Sequence, residues 1–231
     1  MSLVDAVELS RHVCQQAIEA ELKYATDDNL IGRPVQGYTE GLTHVAPMTQ
    51  RTAEQLCKVQ NDLVSNHGYG LLVLDAYRPR QAVLDFLAWS KLPPANDYEL
   101  ERKQLHYPEL QKPQLFELGY VAEDSNHCYG NTVDVMLVDA ATKAMLSMGA
   151  IFDFMGERSH LTVEAEVIGE EAYRHRTILR QAMEKYGFEA YPYEFWHFSL
   201  FPREFNQPLD YAITPEWVRA LRAYTNGQNH V

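Results

Sequence analysis

The sequence predicts a single α+β domain. Short apolar segments with strand character alternate with segments whose apolar residues recur at helical spacing. No repeat, low-complexity tract or Gly/Ser-rich linker interrupts the chain, so residues 1–231 are expected to form one domain. Because the predicted strands are short, a mixed domain is favoured over a doubly wound parallel sheet.

The first part of the chain is predicted to contain two helices separated by a loop. Residues 5–22 have a helical pattern, and residues 26–38 are rich in turn-forming residues. The second helix would be capped by Thr49 or Thr52 and would end just before Gly68.

A buried strand and a further helix follow. The apolar run at 71–74 lies between Gly70 and Asp75, which predicts a short strand. Residues 81–90 again show helical character. Residues 91–118 are rich in Pro, Lys and Glu and fit neither pattern, so this segment is interpreted as a lid or an insertion.

The remainder of the chain predicts three strands and two helices. Residues 132–138 alternate around Asp134, and a helix at 170–186 is expected to stop at Gly187. Residues 214–216 open a last, short helix with Thr as its cap and Pro at its first position. The remaining predicted strands are residues 188–190 and 196–201.

The charge balance argues against several classes of partner. Asp and Glu total 32 against 20 Lys and Arg, which gives a formal net charge of −12. This excess repels phosphate backbones and anionic lipids, so neither a nucleic-acid nor a membrane partner is expected. No apolar run approaches the roughly 20 residues of a membrane-spanning helix.

The cysteines and the first residues predict a cytoplasmic protein. Cys14, Cys57 and Cys128 form no disulfide pattern, which fits a reducing compartment. The first ten residues contain acidic side chains and no basic stretch followed by an apolar core, so we expect no signal peptide.

Two short segments carry the residue types of a metal site. The segment SNHCYGNTVD, at 125–134, and the segment EFWH, at 194–197, offer two histidines and an aspartate as ligands. Three N/O ligands with a fourth position open to water are typical of catalytic zinc. Glu194 would accept a proton from the activated water and deliver it to a leaving amine. The pattern indicates metal-assisted hydrolysis of an amide.

Each segment alone is a weak signal. The chain has nine histidines and 32 acidic residues, so a histidine near an aspartate often occurs without function. Taken singly, His127 or His197 is more often a hydrogen-bonded structural histidine. Another 59 residues separate Asp134 from Glu194, so spacing alone leaves the structural alternative open.

Further segments occur in the same order as in a known family. They are YRP at 77–79, FDFMGERSH at 152–160 and residues 22–34, which begin with LKYAT and end with a proline. With the two metal segments, they resemble the SxHxxGxAxD, ExWH, YRP, FDFMxERSHH and LKYATxDNFxGxP motifs of the D-alanyl-D-alanine dipeptidase family. These VanX-like zinc dipeptidases are related to the DD-carboxypeptidases and to the Hedgehog fold. The resemblance covers about residues 20–200, and several blocks in order are far more specific than one.

The resemblance implies a fold and an activity. The fold would be a small, mainly antiparallel sheet flanked by helices, as in Hedgehog/DD-peptidase proteins. The activity would be zinc-dependent hydrolysis of D-alanyl-D-alanine to two D-alanines, with the small dipeptide as partner. Glycopeptide resistance and salvage of D-alanine from cell-wall peptidoglycan both fit. The alternatives are a D,D- or L,D-carboxypeptidase acting on peptidoglycan and a zinc-binding module without catalysis; oligomeric state is not indicated.

The resemblance also implies roles for eight residues. One Zn²⁺ would be bound by His127, Asp134 and His197, with Glu194 as catalytic base. Arg78 would polarise the scissile carbonyl, although outside this context a surface ion pair would be the simpler interpretation. The other implied residues bind substrate: Asp153 at the free α-ammonium group (or else a loop cap), and Ser125 and Tyr24.

Some positions depart from the family pattern. Cys128 and Tyr129 follow the first ligand, where a serine and a basic residue are usual, and Leu161 stands where a second histidine often follows His160. Cys128 is either a thiol ligand, an oxidation site or a small side chain that points away from the metal. His160 is interpreted as structural. These departures bear on substrate preference more than on catalysis.

Overall fold

Strands and helices alternate along residues 3–228, the part of the chain that the computed structural model describes. The strands are β1 (Val4–Asp5), β2 (Glu19–Ala20), β3 (Pro47–Met48), β4 (Tyr69–Asp75), β5 (Thr132–Asp139), β6 (Phe188–Tyr191) and β7 (Glu194–Leu200). The α-helices are α1 (Ala6–Val13), α2 (Gln50–His67), α3 (Arg80–Ser90), α4 (Asp97–His106), α5 (Lys112–Glu117), α6 (Ala165–Ile168), α7 (Glu170–Lys185) and α8 (Pro215–Gln228). Single 3-10 turns occur at Lys23–Ala25, Asn126–Tyr129 and Glu157–Ser159.

A five-stranded sheet forms the centre of the fold, in the order β2-β4-β5-β7-β6. The β2–β4 pair is parallel and the other three pairs are antiparallel. Helices α2 and α7 contact each other and pack against the sheet. The prediction of an α+β fold with a small, mainly antiparallel sheet is confirmed. No helix within residues 3–228 is both long enough and apolar enough to cross a membrane.

Helix α2 has the ends that its sequence predicts. The Thr49 side chain accepts a hydrogen bond from the Thr52 amide, and Gly68 ends the helix in the left-handed conformation at φ 70°. The Thr49 amide also donates to the Gly130 carbonyl at 2.8 Å. The start of this helix is therefore joined directly to the loop that carries one of the candidate ligands.

The helix predicted at 5–22 is wrong in its second half. Helix α1 ends at Val13, and Glu19–Ala20 instead pairs in parallel with β4 as an edge strand. The Ser10 hydroxyl donates to the Val7 carbonyl and accepts from the Ile18 amide, which turns the chain back toward the sheet. Strand pairing therefore outweighs the helical pattern here.

Three segments differ from the sequence prediction. Strand β7 begins at Glu194 rather than at residue 196, so Glu194 lies within the sheet. The unassigned segment 91–118 contains α4 and α5, and an opening motion of this segment stays a prediction. The last helix, expected to be short, has 14 residues.

The two ends of the described chain meet. The buried Asp5 of β1 accepts a hydrogen bond from Arg222 Nε of α8 at 2.8 Å. The Asp5 amide donates to Thr225 Oγ1 at 2.9 Å. Asp5 also accepts bonds from the Val7 and Ala46 amides. One aspartate thus joins α1, the loop before β3 and α8.

Candidate active site

Three neighbouring strands place acidic and histidine side chains in one row. Asp134 of β5 is paired with Asp75 of β4 on one side and with His197 of β7 on the other. A register shift between Val73 and Asp75 brings Asp75 opposite Asp134. Backbone pairing therefore fixes the relative positions of a ligand candidate and its neighbours before any side-chain contact is made.

His127 reaches the same row from a 3-10 turn. Gly130 ends this turn at φ 68°, and a Cβ there would lie 2.7 Å from Leu3 Cδ2, so both conformation and space require glycine. His127 Nδ1 donates to the Ala76 carbonyl at 2.6 Å, because the carbonyl can only accept. In the neutral ring this bond places the proton on Nδ1, which leaves the Nε2 lone pair available for a metal ion.

The candidate ligand atoms converge on one point. His127 Nε2 lies 3.3 Å from His197 Nδ1 and 3.2 Å from Asp134 Oδ2, and His197 Nδ1 lies 3.0 Å from Asp134 Oδ1. Tetrahedral bonds of about 2.0 Å place ligand atoms roughly 3.3 Å apart. Within residues 3–228, no hydrogen-bond donor satisfies the buried Asp134 Oδ1. The three side chains therefore fit a divalent metal ion.

The protonation states suit metal binding. Burial alone would raise the pKa of Asp134. The adjacent His127 and His197 outweigh this effect, so the pKa of the carboxyl group is lowered from its ordinary value. Burial lowers the pKa of His197 even though Asp134 acts in the opposite direction. An ionised carboxylate and a neutral imidazole are the forms that bind a metal ion.

Glu194 lies beside the ligand group at the start of β7. Its Oε2 is 3.5 Å from His197 Nδ1, and the side chain is buried. Burial raises the pKa of Glu194 well above its ordinary value, and the charges of Asp134 and Asp153 add to this. A carboxyl group in this position can exchange a proton with a water molecule at the metal.

Arg78 is a buried residue of the same cavity and not a surface ion pair. Its Nε donates to Asp75 Oδ2 at 3.0 Å, and its Nη2 lies 3.8 Å from Asp134 Oδ2. The guanidinium carbon is 5.0 Å from the centre of the Tyr24 ring and 5.4 Å from that of Phe86. These contacts fix the guanidinium group next to the candidate metal position.

Asp153 faces the cavity from a loop opposite β5 and β7. It is buried at φ 60°, a conformation that few residues other than glycine adopt. The Tyr24 hydroxyl, 129 residues away along the chain, donates to its carboxylate at 2.9 Å, which disfavours the alternative of a loop cap. Burial, assisted by the charge of Asp134, raises the pKa of Asp153 to about 8. A positive partner would restore its ionised form.

The remaining predicted residues fall close to the site. Ser125 is buried in the cavity wall, just before the turn that carries His127. Cys128 points away into an apolar cluster with Val83 and Tyr129, so the thiol-ligand alternative is wrong. His160 Nε2 is 2.7 Å from the Tyr120 hydroxyl, which agrees with a structural role outside the ligand group.

One cavity is lined by all of the predicted site residues. The eight predicted residues in its wall are Tyr24, Arg78, Ser125, His127, Asp134, Asp153, Glu194 and His197. Among the described residues of the wall, three buried carboxylates face a single buried arginine. Because burial favours the neutral forms of Asp153 and Glu194, a cationic occupant, such as a metal ion or a positively charged group of a ligand, would stabilise their ionised forms.

Sequence reasoning missed several contributing residues. Asp75 holds Arg78 and itself accepts a 2.7 Å hydrogen bond from the Tyr38 hydroxyl. Tyr120 and Tyr191 also line the cavity. The position of Asp75, an acid three residues before an arginine, was the one local signal available. The tyrosines carry no such signal.

Three side chains that could hold a metal ion, a buried carboxyl group beside them and a buried guanidinium in one cavity are the features expected of a metallopeptidase site. The comparison with known families agrees. Residues 6–214 match the sequence profile of a peptidase family described as D-Ala-D-Ala dipeptidase. The chain belongs to this family.

Individual relatives resemble the chain over most of its length. The D-alanyl-D-alanine dipeptidase of Enterococcus faecalis is 41% identical over 180 residues, covering 78% of this chain and 84% of that protein. The proteins of the same name from Streptomyces coelicolor and Escherichia coli are 36% and 32% identical. They cover 79% and 83% of this chain, and 86% and 83% of their own lengths.

Proposed function

We propose that this protein is a zinc-dependent dipeptidase that hydrolyses D-alanyl-D-alanine to two D-alanines. The observation that carries the proposal is the single cavity in which the His-Asp-His group, Glu194, Arg78 and Asp153 meet. The similarity to D-alanyl-D-alanine dipeptidases supports the choice of substrate. Cytoplasmic location stays a prediction.

The ligand group suits zinc because it combines two imidazole nitrogens with one carboxylate. His127, Asp134 and His197 would hold the ion. When bound, zinc supplies Lewis-acid polarisation and a lowered pKa for water. Glu194 would ionise more readily beside a bound cation, because that charge would oppose the effects of burial and of Asp134 on its pKa.

Glu194 is positioned to move the proton during hydrolysis. Its carboxylate accepts a proton from the attacking water and then donates it to the amine nitrogen that leaves. The side chain sits on β7 three residues before His197, with Oε2 3.5 Å from His197 Nδ1. Strand geometry therefore holds the base at the ligand group without making it a fourth ligand.

Arg78 is positioned to stabilise the negative charge that develops on the carbonyl oxygen. The guanidinium group offers several N–H donors in a fixed plane. Asp75 fixes one edge of this plane, and the neighbouring rings of Tyr24 and Phe86 both lie beside the guanidinium group. A preorganised donor of this kind needs little rearrangement as the charge forms.

Asp153 and Tyr24 form the opposite part of the cavity and would bind the free α-ammonium group of the dipeptide. An ammonium group brings the positive charge that returns Asp153 to its ionised form. An N-acylated substrate would leave the buried carboxylate without a partner, so short free peptides are favoured. Ser125, in the same wall, would help to hold the substrate.

The test is a substrate panel with zinc-loaded protein. We expect release of D-alanine from D-alanyl-D-alanine, little release of alanine from L-alanyl-L-alanine, and loss of activity on chelation. Lack of turnover of the D,D-dipeptide would contradict the proposal. Cleavage of an N-acylated tripeptide ending in D-alanyl-D-alanine, without cleavage of the free dipeptide, would instead identify a carboxypeptidase.

A further inference from the structure

His106, the last residue of α4, contacts the chain at Asp153 and at Met155. Its ring Nδ1 lies 3.2 Å from the Asp153 carbonyl oxygen. Its own carbonyl accepts a hydrogen bond from the Met155 amide at 2.6 Å. The histidine is buried, although it belongs to the segment 91–118 that the sequence left unassigned. The end of α4 is therefore hydrogen-bonded to the loop that carries Asp153 at two points.

The backbone conformation of this loop at Asp153 depends on contacts from other parts of the chain. Asp153 has a positive φ of 60°, which residues with a side chain rarely adopt, and such conformations persist when surrounding contacts hold them. The Tyr24 hydroxyl holds the side chain of Asp153, and His106 holds its backbone. Without the backbone contact, the carboxylate would lose part of its fixed orientation toward the cavity.

The neighbours of His106 fix its tautomer. Arg102 Nη2 lies 2.8 Å from His106 Nε2, and a guanidinium group can only donate, so Nε2 is the acceptor. The ring proton therefore resides on Nδ1 and is donated to Asp153. Arg102 is held in turn by the Asn29 carbonyl and by Asp28 Oδ1, both at 2.8 Å. Burial and the Arg102 charge lower the pKa of His106 to about 4, so the ring is neutral near pH 7.

We propose that His106 is a positioning residue for substrate selectivity. By donating to the Asp153 carbonyl oxygen, it keeps the Asp153 carboxylate aligned for the free ammonium group of the substrate. This inference rests on the proposed function, because it assigns that group to Asp153. His106 is absent from the metal-binding group and from the cavity wall, so it acts through Asp153 and not on the substrate.

Two variants separate the hydrogen bond from simple packing. His106→Leu keeps an apolar side chain of substantial volume but has no donor, whereas His106→Asn places an amide N–H near the position of Nδ1. We expect His106→Leu to raise KM for D-alanyl-D-alanine roughly tenfold while kcat changes less than about threefold. The preference for the free dipeptide over its N-acetyl form should fall in parallel. His106→Asn should restore most of both properties.

The controls separate this effect from general damage. His67, like His106, is the last residue of a helix, but its side chain is exposed. The control variant His67→Ala should therefore leave KM and selectivity unchanged. Zinc content should be the same in all variants. Arg102→Met removes the donor that fixes the tautomer, and it should raise KM less than His106→Leu does. It also provides a second measurement if His106→Leu fails to fold.

The outcomes distinguish this inference from the proposed function. If the unmodified protein does not cleave D-alanyl-D-alanine, the proposed function fails. If it does, but folded His106→Leu and Arg102→Met keep the original KM and selectivity, the positioning role is overturned. Equal KM values for His106→Leu and His106→Asn, both raised, would also overturn it, because the donor would then make no difference.

Discussion

The two sides of the cavity are held in place by different kinds of contact. On the metal side, Asp134 and His197 lie on paired strands, so the backbone ladder sets their positions. On the opposite side, Asp153 and Tyr24 lie in irregular segments and meet through a side-chain bond across 129 residues of chain. The metal side is thus specified by strand register, whereas the other side depends on individual side chains. We expect substitutions on the metal side to abolish hydrolysis and substitutions on the opposite side to alter substrate selectivity.

Glu194→Gln tests the metal side most severely and should have the largest effect. The amide is similar in size but cannot accept the proton, so turnover should fall about a thousandfold. Zinc binding, measured by metal analysis of the purified protein, should be retained because Glu194 is not among the ligands. Retained activity would show that another group acts as the base.

Arg78→Lys should have the next largest effect. Lysine keeps the charge but loses the planar donors that Asp75 orients, so kcat should fall by about 100-fold or more. Arg80→Lys is the matched control, since Arg80 lies outside the cavity wall and donates to the Glu123 carbonyl. Similar kcat values for the two variants would argue against an oxyanion role for Arg78.

The pH dependence of unfolding reports on the opposite side of the cavity. The pKa of His106 is about 4 in the folded protein against an ordinary value of 6.5, so the unfolded chain binds the proton more tightly. The contribution of His106 to stability is therefore complete above pH 6.5 and is lost as pH falls toward 4, by at most about 3 kcal/mol. Denaturant unfolding of the unmodified protein and of His106→Asn should show a shallower decline for the variant. Parallel declines would contradict a neutral buried His106.

Asp153→Asn should have the smallest effect of these changes, and it sharpens the contrast between the two sides. Asparagine tolerates positive φ but carries no charge, so the loop should keep its shape while the ammonium group loses its partner. We expect KM for the free dipeptide to rise by about tenfold or more, with zinc content unchanged. Steady-state kinetics on the free and N-acetylated dipeptides measure this directly. An equal loss for both substrates would place Asp153 elsewhere in the mechanism.

The same contrast explains what the sequence could predict. Caps such as Thr49 and Gly68 depend on local chemistry, and the metal segments carry their ligands at short, fixed spacing. His106 has no comparable signal, because its partner lies across the fold: the ring of His106 meets Asp153 over 47 residues of chain. The helix predicted at 5–22 was wrong for the same reason, since pairing of Glu19–Ala20 with β4 is a long-range contact. Local patterns therefore predicted the metal side better than the selectivity side.

The meeting of β1 with α8 has an engineering consequence. Asp5 binds both Arg222 and Thr225, so the two ends of the described chain are neighbours in space. A circular permutant could therefore join the ends through a short flexible linker and open the chain elsewhere. The exposed turn at 141–143 follows the end of β5 that is remote from Asp134. A permutant opened there would carry fusion partners well away from the catalytic cavity.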